Sequence, residues 1–197
     1  MIQRCPPILA LTIALAGAAD SPPRDPLETI HAGNCSQPAS LGAGVRILNW
    51  NVDRGKHFGG IVAAIRETRP DLCIFQEVDL GARRTGGQDV ARELGKAFAM
   101  NYAFAPEFRE LRQSITEHRR LLQLDEVLAD AQQYPPTTPV IVAGDRSCFG
   151  ERRIRTHILI GALDWIFVRG PVACEGAEVH RDLHASDHFP ISAQLRF

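Results

Sequence analysis

Four short apolar runs in this sequence end in polar side chains that can bind a cation or move a proton. These side chains are Asn51 after residues 45–48, Glu77 after 72–75, Asp145 after 140–143, and the pair Asp187-His188 just before the closing segment that ends at Phe197. Apolar runs of this length indicate buried strands, and strand ends are where folds that combine helices and sheets place their chemistry. Carboxylate and amide oxygens are the ligands that hard divalent cations prefer. The sequence therefore predicts that four strands converge on one polar cleft.

The composition is that of one soluble globular domain. The chain has 197 residues, of which 45% are hydrophobic and 23% charged, and this is within the range of single α/β or sandwich domains. The net charge of −1 and the pI of about 6.6 give no global positive field that would attract nucleic acid. A polyanionic substrate would have to be held by local contacts.

The first residues predict a secretory signal peptide. Arg4 precedes an apolar run from Ile8 to Ala16, and Ala16-Gly17-Ala18 has the small-x-small pattern of a cleavage site. The run is too short to span a bilayer as a helix. We therefore predict a signal over residues 1–19, export to the periplasm or the exterior, and no stable membrane anchor.

Removal of that signal would leave four of the five cysteines, an even number that permits disulfides in an exported chain. No cysteine spacing resembles a zinc site. Cys73 lies inside an apolar run and is predicted to be a small buried hydrophobe, and a bridge between Cys148 and Cys174 is an open alternative.

The rest of the chain divides into a linker at 20–44, rich in Pro, Ser, Ala and Gly, and a domain at 45–197. Within the domain the apolar patterns predict, in order, a strand at 45–52, a helix from 59 to 69, a strand at 71–78, a helix through 90–98, a short strand at 101–106, a helix at 118–131 and a strand at 139–145. They further predict an apolar pair at 156–160 and 163–168, as a hairpin or as two adjacent strands, and a final strand up to 197. The early alternation of strands and helices, taken alone, favours a doubly wound parallel sheet.

Five short motifs, in this order along the chain, resemble those of the endonuclease/exonuclease/phosphatase superfamily of metal-dependent phosphoesterases. They are the Asn51 element, Gln76-Glu77, Gly144-Asp145, the segment 163–168 and the box Ser186-Asp187-His188-Phe189-Pro190. The resemblance covers roughly residues 45–197. It implies the deoxyribonuclease-I-like fold, an α+β, four-layer α-β-β-α sandwich of two mixed, largely antiparallel sheets, in shortened form.

The same resemblance implies a cation site. Glu77 would be the principal ligand of Mg²⁺ or Mn²⁺, Asp187 would complete the site, and Asn51 would assist at the metal and the phosphate. Magnesium suits such oxygen ligands and keeps several waters. The loop residues Arg83 and Arg84, just after Glu77, would contact phosphate, although surface arginines are more often simply solvated.

The resemblance also implies three catalytic side chains. Asp145 would position or deprotonate the attacking water, and His188 would bind the scissile phosphate. Asp164 would orient His188 by a hydrogen bond that fixes the imidazole tautomer. Seen singly, each of these residues is more often a turn residue, a strand-end cap or a satisfied core histidine.

Two departures from the family pattern concern activity. Ser147 stands where the family commonly has Asn, and a serine cannot reach as far as an amide. Segments are missing between Glu110 and His118 and again after Cys148, and with the first of them a His-Leu motif. The stretch Thr156-His157-Ile158-Leu159 imitates that motif but follows Asp145 instead of preceding it, so the role is not transferred to His157.

Two classes of function remain open. The first is an exported, magnesium-dependent hydrolase of phosphoesters, of nuclease, phosphodiesterase or phosphatase type, with full or reduced activity. The second is a catalytically inactive family remnant that serves as a binding or assembly module. The fold does not choose among substrates, and nucleic acid stays among the candidates.

Overall fold

The computed structural model describes residues 29–37, 42, 44–106, 129–145, 156–158 and 163–197. The strands are β1 His31–Gly33, β2 Gly44–Arg54, β3 Leu72–Val78, β4 Tyr102–Phe104, β5 Val140–Asp145, β6 Asp164–Arg169, β7 Ala173–Val179 and β8 Ile191–Arg196, and the helices are α1 Phe58–Thr68, α2 Val90–Phe98 and a 3₁₀ turn at Arg83–Thr85. The predicted signal at 1–19, most of the predicted helix at 118–131, Ser147 and Cys148 lie outside the described residues.

Two sheets face each other. A four-stranded sheet has the order β3-β2-β8-β7, β5 pairs with β6 in a second sheet, and β1 pairs with β4 in a separate ribbon. Only the β2–β3 pair is parallel among these, and the other pairs are antiparallel. The predicted α+β sandwich of mixed, largely antiparallel sheets is confirmed, and the doubly wound alternative is wrong.

Each face of strand β2 packs against a different layer of the fold. The outer face carries Leu48, Trp50 and Val52, and the inner face carries Val45 and Ile47. Successive side chains of a strand point to opposite faces, so one set packs with α1 and α2 and the other with β5 and β6. The inner face continues with Asn49 and Asn51, whose amide groups reach the second sheet. The inner face of β2 thus belongs to the core at residues 45 and 47 and to the polar site at residues 49 and 51.

The helices cover the outer face and bring a loop close to the site. In α1 the buried residues are Ile61, Ala64, Ile65 and Thr68, spaced three or four apart on one helical face. The helix ends at left-handed Arg69, before Pro70. A Cβ atom added to Gly60 would lie 2.7 Å from the Cβ of Ala185, so only glycine lets α1 approach the loop that leads into Ser186.

The pairing of β6 corrects one sequence prediction. The sequence predicts 163–168 beside 156–160, as a hairpin or as two adjacent strands, but β6 pairs with β5, placing Asp164 opposite Asp145. Among the described residues of the earlier segment, His157 instead forms a bridge with His188. Apolar pattern marks a strand but does not choose its partner, because pairing is decided by contacts distant in sequence.

Two strands lie where no strand was predicted. The stretch His31–Gly33, predicted as linker, forms β1 against β4. Strand β7 pairs with β8 at the edge of the larger sheet, and nearly all of its residues are exposed. A strand with both faces in water has no apolar alternation, which is why the sequence did not reveal it.

The cysteines in the described part of the chain are free thiols. Cys35 and Cys174 form no disulfide with another described residue, and Cys148, the predicted partner of Cys174, lies outside the described residues. Cys73 packs against the core under α1 and α2, and burial raises the pKa of its thiol to about 12. This agrees with its predicted role as a small hydrophobe. No helix in the described segments is long and apolar enough to cross a membrane.

The packing of α1 against β2 predicts that shortening a buried side chain between them lowers the free energy of unfolding. Ile61 is fully buried in the cluster formed by both elements. Replacing it with Ala should lower the free energy of unfolding by about 2–5 kcal/mol, because the lost methyl groups leave a cavity. Urea denaturation would measure this. Ile30→Ala, at a position that is 67% exposed, is the matched control and should change stability by less than about 0.5 kcal/mol; equal effects would contradict the packing described.

Candidate active site

The predicted polar strand ends meet at one end of the sandwich. Asn51 of β2 lies beside Gln76 of β3, and Asp145 of β5 lies opposite Asp164 of β6. The loop that carries His188 enters this end between the two sheets and contacts both aspartates. These side chains come from both sheets, so the cluster exists only when the sandwich is closed.

Asp164 and His188 form the most buried polar pair of the cluster. The distance from His188 Nδ1 to Asp164 Oδ2 is 2.9 Å, and both side chains are buried. A carboxylate only accepts hydrogen bonds, so Nδ1 carries the proton and Nε2 is directed away from Asp164. Burial alone would lower the pKa of His188, but the hydrogen bond and charge of Asp164, with the charges of Asp145 and Asp187, outweigh it and raise the pKa.

Asp145 faces the other nitrogen of the same imidazole. Its Oδ2 lies 3.7 Å from His188 Nε2 and accepts a 3.0 Å hydrogen bond from Asn51 Nδ2. Its Oδ1 is buried and has no hydrogen-bond partner among the described residues. Burial raises the pKa of Asp145, although the bond from Asn51 and the charge of His188 partly oppose this. A buried, unpartnered carboxylate oxygen is costly and favours a cation or a donor at this point.

Backbone hydrogen bonds fix the position of His188. Ser186 Oγ donates to the carbonyl of Asn51 at 2.7 Å and accepts from the backbone N–H of His188 at 3.2 Å. Trp50 Nε1 donates to the carbonyl of His188 at 2.8 Å. The imidazole is therefore held through β2 as well as through Asp164.

His157 belongs to the cluster, although sequence reasoning assigned it no role. Its ring lies 4.8 Å from that of His188, edge to face, and its Nε2 is 3.5 Å from Asp187 Oδ2. The backbone is fixed by hydrogen bonds from Phe189 to Thr156 and from Ile158 to Asp187, at 2.6 and 2.9 Å. The similarity of residues 156–159 to a His-Leu motif was the available signal, and chain order argued against it.

Glu77 lies at the edge of this cluster on strained backbone. Its φ of 51° is in the left-handed region, as are those of Asp53 and Arg54 across the shifted register of β2 and β3. Such residues cost about 1–3 kcal/mol each and concentrate at functional sites. The Glu77 side chain is 43% exposed, with Oε2 3.3 Å from Arg54 Nη1. The negative charge of Glu77 is thus balanced by the guanidinium of Arg54, and its side chain is open to solvent.

The two predicted phosphate-binding arginines differ in their contacts. Arg84 donates through Nε at 2.7 Å and also through Nη2 to the buried carboxylate of Asp79, which accepts a further bond from Thr85. Arg83 is exposed in the 3₁₀ turn. A phosphate would have to compete with Asp79 for Arg84, and phosphate binding by either arginine stays a prediction.

Two groups of side chains in the described part of the chain could hold a metal ion. One contains Asp145, Asp164 and His188, and the other contains His157, Asp187 and His188. Neither group includes Glu77. The oxygen-rich surroundings of Asp145, with one buried oxygen lacking a partner, fit a hard divalent cation. The residues present are thus compatible with the predicted Mg²⁺ or Mn²⁺, and the contribution of Glu77 stays a prediction.

An α+β sandwich whose strand ends gather carboxylates, an amide and an imidazole has the components of a metal-assisted hydrolase site. The chain belongs to the endonuclease/exonuclease/phosphatase family, whose family model matches residues 48–188. The predicted family is confirmed, and membership supports a phosphoester hydrolase.

The fold also matches a solved structure. The chain is similar to a crystal structure of humanized D. rerio TDP2 carrying 14 mutations, with a TM-score of 0.59 and 14% sequence identity. The match covers 79% of this chain and 100% of that one. A likeness at this identity shows the fold alone. No curated protein matches the chain.

The burial of Asp145 predicts a stability effect that depends on pH. The folded-state pKa lies above the ordinary value of 3.8, so stability falls as pH rises from that value through the folded pKa and stays lower at neutral pH. Asp145→Asn should therefore raise Tm at pH 7 without divalent cations, by a few degrees, since about 1 kcal/mol shifts Tm by 2–4 °C at this size. Calorimetry at pH 7 and below pH 4 would measure it.

In that experiment the difference should shrink in acid, where the wild-type carboxyl is also protonated. Asp182→Asn, at an exposed position, is the control and should leave Tm nearly unchanged. A lower Tm for Asp145→Asn at pH 7 would show that the ionised carboxylate stabilises the metal-free fold.

Proposed function

We propose that the protein is a Mg²⁺- or Mn²⁺-dependent hydrolase of phosphoesters. The observation that carries this proposal is the chain of contacts Asp164–His188–Asp145–Asn51, which joins the two sheets at distances of 2.9, 3.7 and 3.0 Å. Phosphoester hydrolysis needs an oriented water, a group that binds the phosphoryl oxygens and stabilisation of negative charge. The cluster offers a side chain for each task.

Asp145 is the proposed base. Asn51 fixes one of its oxygens and leaves the other without a partner in the described structure, so that this oxygen can accept a proton from water. A pKa raised by burial makes the carboxylate a stronger base than an exposed aspartate.

His188 is the proposed phosphoryl-binding group. Asp164 holds its Nδ1, and a pKa raised chiefly by Asp164 favours a protonated ring whose Nε2 can donate to a phosphoryl oxygen. Nε2 already faces Asp145, so phosphate and water would lie on the same side of the imidazole.

Glu77, Asp187 and Asn51 are the proposed ligands of the cation; of these three, only Asp187 belongs to a group of described side chains whose donor atoms already lie close enough to share an ion. When bound, the cation supplies neutralisation of phosphoryl charge. Glu77 is 43% exposed and lies 3.3 Å from Arg54, so a cation would compete with Arg54 for its carboxylate. Arg54 would then also lie close to an incoming phosphate.

The charges around a cavity next to the site favour a small phosphoester as substrate rather than a long nucleic-acid duplex. A cavity of about 880 Å³ lies between the β2–α1 loop, the turn at 84–88 and the loop at 182–185. Its cations Lys56 and Arg84 are each paired with an aspartate, and Asp182 adds a negative charge. Without a surplus of positive charge it offers little attraction to a polyanion, although nucleic acid stays a candidate substrate.

Metal binding is tested by calorimetric titration of Mn²⁺ and Mg²⁺. Glu77→Gln should weaken affinity at least tenfold, because it removes the charge of the proposed principal ligand without changing side-chain size. Glu67→Gln, an exposed substitution on α1, is the matched control and should bind as the wild type does. Equal affinity in all three proteins would remove Glu77 from the site.

Turnover is tested on a generic phosphodiester, a phosphomonoester and plasmid DNA, with and without Mg²⁺. His188→Ala should reduce kcat by on the order of 10²–10⁴-fold, and Asp164→Asn by on the order of 10–100-fold, with smaller changes in substrate binding. His31→Ala, in the β1–β4 ribbon, controls for the loss of an imidazole. Absence of turnover on every substrate would favour the non-catalytic binding module instead.

A further inference from the structure

His157 is a buried imidazole that the proposed hydrolytic mechanism does not use. It is 7% exposed, and its segment is held against residues 187–189 by two backbone hydrogen bonds. Its ring packs at 89° against the ring of His188. The position of His157 is therefore fixed by main chain and by packing, before any contact of its own nitrogen is considered.

In the contact between His157 and Asp187 the imidazole is the more buried partner, whereas in the contact between Asp164 and His188 it is the carboxylate. In the latter the carboxylate is the more deeply buried partner and orients the imidazole. In the former the His157 side chain is 9% exposed and that of Asp187 is 55% exposed. A fixed, buried group restrains an exposed neighbour more than the reverse, so here the imidazole orients the carboxylate.

The two oxygens of Asp187 have different neighbours. Ser186 Oγ lies 3.2 Å from Oδ1 but gives its single hydrogen to the carbonyl of Asn51, whereas His157 Nε2 lies 3.5 Å from Oδ2. The second distance is long for a hydrogen bond, but site contacts commonly tighten when a ligand binds. An exposed carboxylate without a donor beside it would sample several rotamers and lose entropy on binding a ligand.

We propose that His157 is a positioning residue, whose Nε2–H holds the carboxylate of Asp187 in the orientation that the site uses. The inference rests on the proposed function in one respect, the role of Asp187 toward the cation. Outer partners that orient a ligand typically contribute 10–100-fold to metal affinity or activity. The Nε2–H donor of His157, rather than the packing of its aromatic ring, is what orients Asp187.

Two substitutions separate the nitrogen from the ring. His157→Phe keeps an aromatic ring against His188 and removes the donor to Asp187. His157→Gln removes the ring and keeps an N–H donor at nearly the same reach. His31→Phe, which replaces an imidazole that packs against Phe104 in the β1–β4 ribbon, is the matched control for stability and for metal binding.

The first measurement is Mn²⁺ affinity by calorimetry. His157→Phe should bind Mn²⁺ at least tenfold more weakly than the wild type, and His157→Gln should stay within about threefold. Wild-type affinity in His157→Phe, or a loss in His157→Gln as large as that in His157→Phe, would overturn the proposal.

The second measurement does not depend on metal. Long-range ¹H–¹⁵N spectra of the imidazoles should show His157 as the Nε2–H tautomer, and Asp187→Asn should shift that nitrogen while Asp182→Asn should not. An unshifted His157 would overturn the pairing even if both variants of His157 fold poorly. A wild type with the expected spectrum but no affinity for Mn²⁺ would leave the pairing intact and refute the cation proposed for Asp187.

Discussion

The hydrogen bond between Asp164 and His188 is the contact on which the rest of the site depends, because it joins the two sheets. Asp164 begins β6 in the smaller sheet, and His188 lies in the loop that leads into β8 of the larger one. Removing one partner of a buried ionised pair typically costs 3–5 kcal/mol, since the other is left uncompensated. The same bond therefore orients the imidazole and fixes how the sheets face each other.

Strand β2 makes this arrangement possible by serving core and site with one face. Val45 and Ile47 fill the space between the sheets, and Asn49 and Asn51 follow at the same spacing toward the open end. A slip of one residue would turn the amides toward the helices and Leu48 and Trp50 toward the second sheet. The burial of Trp50 and Leu48 under α1 thus specifies the position of Asn51.

The strand ends could be predicted from sequence because their apolar runs and terminal polar residues are local signals. The family order of the motifs then identified Asp145, Asp164 and His188, which the structure brings together. What local pattern cannot give is contact between distant segments. The pairing of β6 with β5 and the bridge from His157 to His188 both depend on contacts between residues far apart in the sequence.

The two tryptophans of the chain lie in opposite surroundings. Trp50 is fully buried and hydrogen-bonded to the carbonyl of His188, and Trp165, 38% exposed, stacks on Phe167 at the outer surface of β6. Each sheet therefore carries its own fluorophore, one shielded from water and one open to aqueous quenchers. In a protein with Trp165→Phe, the remaining emission would report directly on the backbone that holds the imidazole.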